Sequence, residues 1–131
     1  MRYPSEHKET VRRRIVAAAA SALRRDGVAG ISIPALMKAV GLTHGGFYGH
    51  FRDREELVAE AVRAAATDTA ERVFPRGRSL AATLARYLSR EHVADPGGGC
   101  VLAALGTEAR HQGPTVSRAF AEIARGFLRL V

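Results

Sequence analysis

The chain of 131 residues contains no tryptophan and a single cysteine. One cysteine, Cys100, excludes an internal disulfide, which is typical of proteins that stay in a reducing compartment. No run of about 18 uncharged apolar residues occurs, so we expect no membrane-spanning helix. The charged N-terminus, MRYPSEHKETVRRR, lacks the apolar segment of a secretion signal. These absences predict a soluble, cytoplasmic protein.

Sequence motifs of common enzyme classes are also missing. No serine lies in a G-x-S-x-G turn, and PGGGC at residues 96–100 lacks the lysine and hydroxyl of a G-x-x-x-x-G-K-[ST] phosphate loop. The five histidines and the cysteine show no paired metal-ligand spacing. We therefore expect no enzyme activity, no metal site and no cofactor.

Basic charge is what the chain does have, and most of it lies in the first 54 residues. Ten Lys/Arg against four Asp/Glu give residues 1–54 a net charge of +6, and ten against nine give residues 55–131 a net charge of +1. A basic head on a nearly neutral body favours binding of a polyanion. The alternative is a solvated basic surface without a nucleic-acid partner, and charge alone does not separate the two.

Apolar residues recur at three- and four-residue spacing, and no alternating strand pattern persists, which predicts an all-α fold. The first helix is expected at Ser5–Asp26, with Gly27 as its stop. Ser32 is a suitable N-cap for a short second helix, because Pro34 fits its first turn and Gly41 follows its last apolar residue.

A third helical segment is expected in HGGFYGHF, with Thr43 as its N-cap. Phe47 and Phe51 are four residues apart and so lie on one face. Their packing has to offset the poor helix propensity of the three glycines, roughly 1 kcal/mol each. Asp53 then caps a fourth helix, and Glu56 three residues later completes a capping-box pattern.

Two short helices joined by a turn containing glycine form the helix-turn-helix plan, in which the second helix enters the DNA major groove. With both phenylalanines buried, the exposed side keeps His44, Tyr48 and His50 beside bare glycine backbone, which can approach DNA closely. We predict an N-terminal three-helix DNA-binding domain at residues 1–54 and a helical ligand-binding and dimerisation domain at residues 55–131.

Three segments in order, RIVAAAASALRRDGVAGIS, IPALMKAVGLTHGGFYGHF and RDREELVAEA, carry a resemblance to a known family. They resemble the DNA-binding domain of the TetR family of transcriptional repressors, over about residues 8–65. The later GGGCVLAALGTEARHQGP is similar to part of its regulatory domain. The resemblance implies an all-helical homodimer that binds a palindromic double-stranded DNA operator and is released by a small effector, which we expect to be apolar.

The resemblance also implies roles for single residues. Thr43 caps the recognition helix and contacts a phosphate, and Ser32 caps the preceding helix near the DNA backbone. The positions that face base edges are His44, Gly45, Gly46 and Gly49. The positions that hydrogen-bond phosphates are Tyr48, His50 and Arg54. Because three base-facing positions are glycines, and Pro34 replaces a residue that is often polar or basic, we expect few direct base contacts and more dependence on DNA shape.

Each of these residues also has a structural interpretation. Tyr48 could be a half-buried aromatic residue whose hydroxyl meets water, and His44 and His50 could be surface histidines. The arginines at positions 12–14 fit a solvated helix face, although one of them could reach the DNA backbone.

The body is expected to contain three helices after the fourth, at Leu80–His92, Cys100–His111 and Pro114–Val131. Their apolar residues are Leu80, Leu84, Leu88, Val101, Leu102, Leu105, Phe120, Ile123, Phe127 and Leu128. In the resembled family such helices enclose an effector cavity, whereas the same spacing also describes a packed core.

Cys100 is a candidate sensor of oxidants or electrophiles. It follows PGGG, and we expect it in the first turn of a helix, where unpaired N–H groups and the helix dipole favour the thiolate. The alternative is a small buried apolar residue, which is the common environment of a free cysteine.

The last apolar stripe, which includes Phe120, Phe127 and Val131, continues to the final residue, whereas proteins of the resembled family usually carry two further helices that form a dimer interface. We expect the chain to be an incomplete member that dimerises weakly. Two other functions stay open: a nucleoid-type protein that binds DNA without regard to sequence, and a small-molecule carrier with no DNA affinity.

Overall fold

The computed structural model describes residues 5–129, in which the chain folds into seven α-helices and no strand. The predicted all-α fold is confirmed. The helices are α1 Ser5–Asp26, α2 Ile33–Ala39, α3 Arg54–Val73, α4 Leu80–Tyr87, α5 Arg90–Ala94, α6 Val101–Leu105 and α7 Pro114–Leu128. A 3-10 helix, His44–Gly49, lies between α2 and α3 and is called the glycine-rich helix below. Shorter 3-10 turns are formed by Val28–Gly30, Pro96–Gly98 and Ala109–His111.

The starts of three helices are fixed by the predicted N-caps. Ser32, Thr43 and Asp53 each accept a hydrogen bond from the backbone N–H three residues later, at 3.4, 3.3 and 2.9 Å. Each bond satisfies a donor that the helix itself leaves unpaired. Glu56 reaches back as expected, but its carboxylate accepts from the N–H of Arg52 at 2.7 Å, one residue before the capping-box position.

The long helix α3 is the shared wall of the molecule. One side packs along α1 and the other packs along α7. The largest fully buried side chains of the N-terminal part come from α1, α2, α3 and the glycine-rich segment, and they are Ile15, Leu23, Met37, Phe47, Phe51, Leu57, Val58 and Val62. This core holds the glycine-rich helix against α2.

A nearly buried arginine joins the N-terminal part to the body. The side chain of Arg24 on α1 is 8% exposed and donates to the carbonyl of Gly97 at 2.6 Å and to the carboxylate of Asp68 at 3.0 Å. Asp68 also accepts two hydrogen bonds from Arg72, at 3.1 and 2.7 Å. A second junction lies nearby, where Glu108 accepts from the N–H of Val28 at 3.3 Å.

Two predicted helices of the body are wrong in extent. The segment expected as one helix from Leu80 to His92 breaks after Leu88, because the Ser89 hydroxyl accepts from the backbone N–H of His92 at 3.2 Å and starts α5. The segment expected from Cys100 to His111 is helical only as far as Leu105, after which Gly106, a poor helix former, begins a turn. Cys100 itself is the N-cap of α6, with no side-chain capping bond, and lies just outside its first turn.

Several of the apolar residues expected on the body helices are not part of a packed core. Leu80, Leu84, Leu88 and Leu128 are exposed. The reason is visible in α4, which makes few contacts with α3 and whose buried residue is Thr83. The described part of α7 buries Val116, Ala119 and Phe120, whereas the predicted stripe position Val131 lies outside the described residues.

Candidate nucleic-acid interface

The glycine-rich helix is held by its two phenylalanine rings. Phe47 is fully buried, Phe51 is nearly so, and their ring centroids are 5.3 Å apart in a stacked arrangement. The segment folds as a 3-10 helix, with about three residues per turn, and ends where the N–H of His50 donates to the carbonyl of Phe47 at 2.9 Å. The predicted inward face is confirmed.

The outward face of this helix combines a protruding aromatic residue with bare backbone. Tyr48 is 64% exposed, and its ring centroid lies 6.4 Å from that of the exposed His44. A Cβ atom added at Gly45 or Gly49 would meet nothing within 4 Å. This face can therefore approach a flat or grooved surface closely.

Gly46 differs from the other two glycines of the helix. A Cβ atom at this position would lie 3.4 Å from the Thr43 hydroxyl and 3.8 Å from the Met37 terminal methyl group. The side-chain position of Gly46 therefore faces α2. The backbone that a partner can approach lies at Gly45 and Gly49. Its predicted contact with base edges is untested.

The two capping hydroxyls lie at the same surface. Ser32 and Thr43 are both exposed, and each accepts a hydrogen bond from its own helix. Because a hydroxyl also carries one O–H donor, each can donate to a phosphate oxygen while it caps the helix. The predicted phosphate contacts are compatible with this geometry.

Arg54 makes contacts that sequence reasoning did not anticipate. One terminal nitrogen donates to the carbonyl of Val28 at 2.7 Å and to that of Ile31 at 3.4 Å. The side chain therefore fastens the start of α3 to the turn before α2. Its other N–H donors can still reach a phosphate, since guanidinium has five.

His50 lies at the end of the glycine-rich helix and is half-buried. Its Nδ1 atom is buried and has no hydrogen-bond partner among residues 5–129. Burial lowers the pKa of His50, and the charges of Lys8 and Arg12 lower it further. A contact from His50 to a phosphate would thus come from the neutral imidazole.

Arg12 on α1 is the functional residue that the sequence left undefined. Its guanidinium donates to the carbonyl of His50 at 3.2 Å, pairs with both carboxylate oxygens of Glu60 and stands 4.6 Å from the ring centroid of Phe51. Glu56 lies within 3.5 Å as a second carboxylate. The acidic residues of α3 at four-residue spacing were a signal for a basic partner, but nothing local identified which arginine of positions 12–14 it would be.

A half-open groove lies in the body, on the far side of α3. Its volume is about 1270 Å³. The wall is built largely from apolar and aromatic side chains, which include Phe74, Leu84, Tyr87, Cys100, Ile123 and Phe127. Phe74 makes an edge contact with Phe127 at 5.4 Å between centroids. Burial raises the pKa of Tyr87, and the neighbouring Cys100 adds to the effect.

Residues 5–129 contain neither a cluster of metal-ligating side chains nor a membrane-spanning helix. No group of three or more His, Cys, Asp or Glu side chains is arranged to hold a metal ion there. None of its helices is both long enough and apolar enough to cross a membrane.

Comparison with known proteins bears on the same region. The family profile described as "Bacterial regulatory proteins, tetR family" matches residues 15–61. The whole fold is similar to the crystal structure of a TetR transcriptional regulator from Chloroflexus aurantiacus J-10-fl, with a TM-score of 0.74 and 29% identity. Over residues 15–61 the chain is thus similar to the TetR family, and its fold is similar to that of a TetR regulator. The predicted resemblance is confirmed. No match was found among curated protein sequences.

The segment that matches the family profile contains every residue of the candidate interface, from Ser32 to Arg54. The structural similarity covers 90% of this chain and 63% of the Chloroflexus regulator, so the chain spans less than two thirds of that protein's length. The family match therefore applies most directly to the N-terminal part, and the division between domains at residues 54 and 55 stays a prediction.

Proposed function

We propose that the chain is a DNA-binding transcriptional regulator that uses the glycine-rich helix to enter the DNA major groove. One observation carries the proposal: the basic N-terminal part presents a capped helix that buries Phe47 and whose outer face has open backbone at Gly45 and Gly49. Backbone without side chains at these two positions can approach the floor of a groove closely. The family match to residues 15–61 supports the same function.

The roles of the interface residues follow from their chemistry. Hydroxyl groups of Ser32, Thr43 and Tyr48 and the remaining N–H donors of Arg54 can hydrogen-bond phosphates, which fixes register without reading sequence. His44 is the side chain best placed to meet a base edge. Specificity would then depend largely on DNA shape and on close backbone fit.

Selection of genomic DNA fragments by the purified chain tests this proposal, followed by footprinting of the enriched fragments. A regulator should enrich one short palindrome and protect it. A nucleoid-type protein would cover any duplex, and a small-molecule carrier would retain no DNA.

A paired substitution tests the interface itself. Arg54→Ala should weaken binding to operator and random DNA together, because a phosphate contact carries no sequence information. Arg90→Ala is the matched control, since Arg90 is the exposed first residue of α5 as Arg54 is of α3. Equal affinity of both variants would remove Arg54 from the interface.

We further propose that the functional form is a homodimer on a palindromic operator. Two-fold symmetry would place two glycine-rich helices about 34 Å apart, which is one turn of DNA. Sedimentation with and without a labelled operator measures the stoichiometry. A single chain bound to a half-site at full affinity would contradict the dimer.

Release by a small apolar effector is the regulatory part of the proposal, and we propose repression as its outcome. The groove of about 1270 Å³ supports it, because its aromatic wall suits an apolar ligand. The test is a screen of apolar and aromatic compounds for release of a labelled operator. Phe127→Arg, which places a charge in the groove, should abolish release by any active compound and leave operator binding unchanged.

Sensing by Cys100 stays a prediction. Cys100 is buried, as the alternative interpretation expected, although it forms part of the groove wall. If it senses oxidants, Cys100→Ser should bind operator normally and fail to release it on treatment with hydrogen peroxide. Equal release of both proteins would return Cys100 to a purely structural role.

A further inference from the structure

We infer that Arg12 is a positioning residue that sets the angle of the glycine-rich helix toward DNA and makes no DNA contact itself. This inference rests on the proposed DNA-binding function. It assigns a role to one arginine of the 12–14 cluster and separates it from its two neighbours.

One set of Arg12 contacts reaches the segment that follows the glycine-rich helix. Its Nε–H donates to the carbonyl of His50, the C-cap of that helix, at 3.2 Å. Its guanidinium carbon stands 4.6 Å from the ring centroid of Phe51. One α1 side chain thus holds two consecutive residues by a hydrogen bond and a cation–π contact.

The other side of the guanidinium is anchored to α3. Both terminal nitrogens donate to the carboxylate of Glu60, and one also lies 3.5 Å from Glu56. Glu56 accepts in turn from the backbone N–H of Arg52 at 2.7 Å. The segment His50–Arg52 is therefore tied to α1 and α3 through a single connected network.

The glycine-rich helix needs such an external support. Three of its six residues are glycines, so its own backbone preferences hold it weakly. The buried rings of Phe47 and Phe51 fix how far the helix lies from the core. Rotation of the helix about those rings is resisted by the bond from Arg12 to the carbonyl of His50.

The charge of Arg12 is matched inside the protein. Two carboxylates face it, and the hydrogen bond that Arg12 donates to Glu60 raises the pKa of Arg12 above its ordinary value. An arginine paired in this way releases no counterion when DNA binds. A phosphate-binding arginine would instead contribute about 0.9 to the slope of log affinity against log salt.

Lysine cannot replace Arg12 in this role, which makes Arg12→Lys the sharpest variant. Lysine keeps the charge, but it lacks the planar fork that reaches a carbonyl, a ring and a carboxylate at once. We expect Arg12→Lys to weaken DNA binding about tenfold, the value of one lost charge-assisted hydrogen bond. The salt slope is measured in Arg12→Gln, which removes the charge that lysine keeps, and it should stay at the wild-type value.

Arg13→Lys is the matched control. The neighbouring side chain is 75% exposed and pairs with Glu9 on its own helix. This variant should keep the wild-type DNA affinity and salt slope. Glu60→Gln is the second variant: it makes the protein more positive, which by charge alone would strengthen DNA binding, and we expect weaker binding instead.

Amide hydrogen exchange tests the positioning directly and without DNA. The N–H groups of His50 and Phe51 both donate to the carbonyl of Phe47, at 2.9 and 3.0 Å. In Arg12→Lys their exchange should rise about tenfold, while exchange in the centre of α3 stays at the wild-type rate. Should Arg12→Lys not fold, Glu60→Gln carries the same expectations.

Each outcome supports or overturns the inference. Weaker binding of Arg12→Lys with faster exchange at positions 50 and 51, together with an unchanged salt slope in Arg12→Gln, supports it. A salt slope reduced by about one in Arg12→Gln would make Arg12 a phosphate contact and overturn it. Wild-type affinity and exchange in both variants would overturn it too, as would exchange that rises equally throughout α3. If the wild type binds no DNA, the proposed function fails, and exchange at positions 50 and 51 still decides whether Arg12 holds the helix.

Discussion

Apolar residues recur at helical spacing in both the N-terminal part and the body. The N-terminal part buries them in a closed core, whereas the body leaves several of them exposed. In the N-terminal part, the large apolar residues of α1, α2 and the glycine-rich segment meet those of α3, and residues such as Ile15, Met37 and Phe47 are fully buried. In the body, Leu80 and Leu84 of α4 are exposed along an open groove, and Leu88, the C-cap of α4, is exposed as well. Helical spacing predicts an apolar face, and what covers that face depends on contacts distant in sequence.

The largest expected difference between the two regions is the cost of truncating an apolar side chain. Phe47→Ala should lower the free energy of unfolding by about 3–5 kcal/mol, because it opens a cavity in a closed core. Leu88→Ala, at a position that is 71% exposed, should change it by less than about 0.5 kcal/mol. Urea unfolding of both variants measures this contrast. Similar losses in the free energy of unfolding would show that apolar residues are packed as closely in the body as in the N-terminal part.

The second difference concerns the junction at which Arg24 of the N-terminal part meets Asp68. Asp68→Asn should destabilise the protein by about 1–2 kcal/mol at pH 7, below the 3–5 typical of a fully buried pair, because the Asp68 side chain is 43% exposed. The hydrogen bond from Arg72 lowers the pKa of Asp68, and Arg24 contributes. The stabilisation is therefore present above the unfolded pKa and is lost as pH falls through the lower folded pKa.

Unfolding of wild type and Asp68→Asn at pH 7 and at pH 2 checks this prediction. The two proteins should differ at pH 7 and converge in acid. Glu122→Gln is the control, because the Arg63–Glu122 pair is more exposed and should matter less. A constant difference at both pH values would mean that Asp68 acts through packing alone.

Two glycines with free space beside them, one in each region, separate an effect on stability from an effect on DNA binding. Gly49 in the N-terminal part and Gly126 in α7 both lack a positive φ and have no atom within 4 Å of an added Cβ. Alanine at either position should raise stability by about 0.4–1 kcal/mol. Gly49→Ala should nevertheless weaken DNA binding, because its methyl group would lie on the face proposed to enter the DNA major groove. Gly126→Ala should leave DNA binding unchanged. Unchanged affinity of Gly49→Ala would contradict close backbone approach.

The smallest expected difference is in the response to pH. Burial lowers the pKa of His50, so the unfolded chain binds the proton more readily and stability falls as pH drops below about 6.5. Burial raises the pKa of Tyr87, so stability falls as pH rises above about 10. His50→Gln should remove part of the acid loss and Tyr87→Phe part of the alkaline loss. Parallel profiles of variant and wild type would refute the assignment for that residue.

Local hydrogen bonding explains why much of the N-terminal part could be predicted. The N-caps Ser32, Thr43 and Asp53 and the stop at Gly27 act within four residues, so the sequence contains their partners. The break before α5 had the same kind of signal, since Ser89 caps it through a residue three positions later. Leu80, Leu84 and Leu88 form one helical stripe up to this point, and that stripe favoured a continuous helix.

The contacts of Arg12, Arg24 and Arg54 could not be predicted in the same way. Arg12 meets His50 and Glu60, and Arg54 meets the carbonyls of Val28 and Ile31, at separations of 23 to 48 residues. The acceptors are mostly backbone carbonyls, which every residue has and no side-chain pattern identifies. These long-range bonds decide the orientation of the glycine-rich helix, whereas its amphipathic character is local.

The bond from Arg24 to the carbonyl of Gly97 has a consequence for how the protein is made. The two residues are 73 positions apart, and the ribosome adds about 5–20 residues per second, so roughly 4–15 s separate their synthesis. During that interval a nascent head has its guanidinium without the Gly97 carbonyl that it later binds, and the turn that covers α1 does not yet exist. The N-terminal part therefore makes its full set of contacts only after the body has been translated. On a ribosome that stalls earlier, it would lack the contact between Arg24 and Gly97.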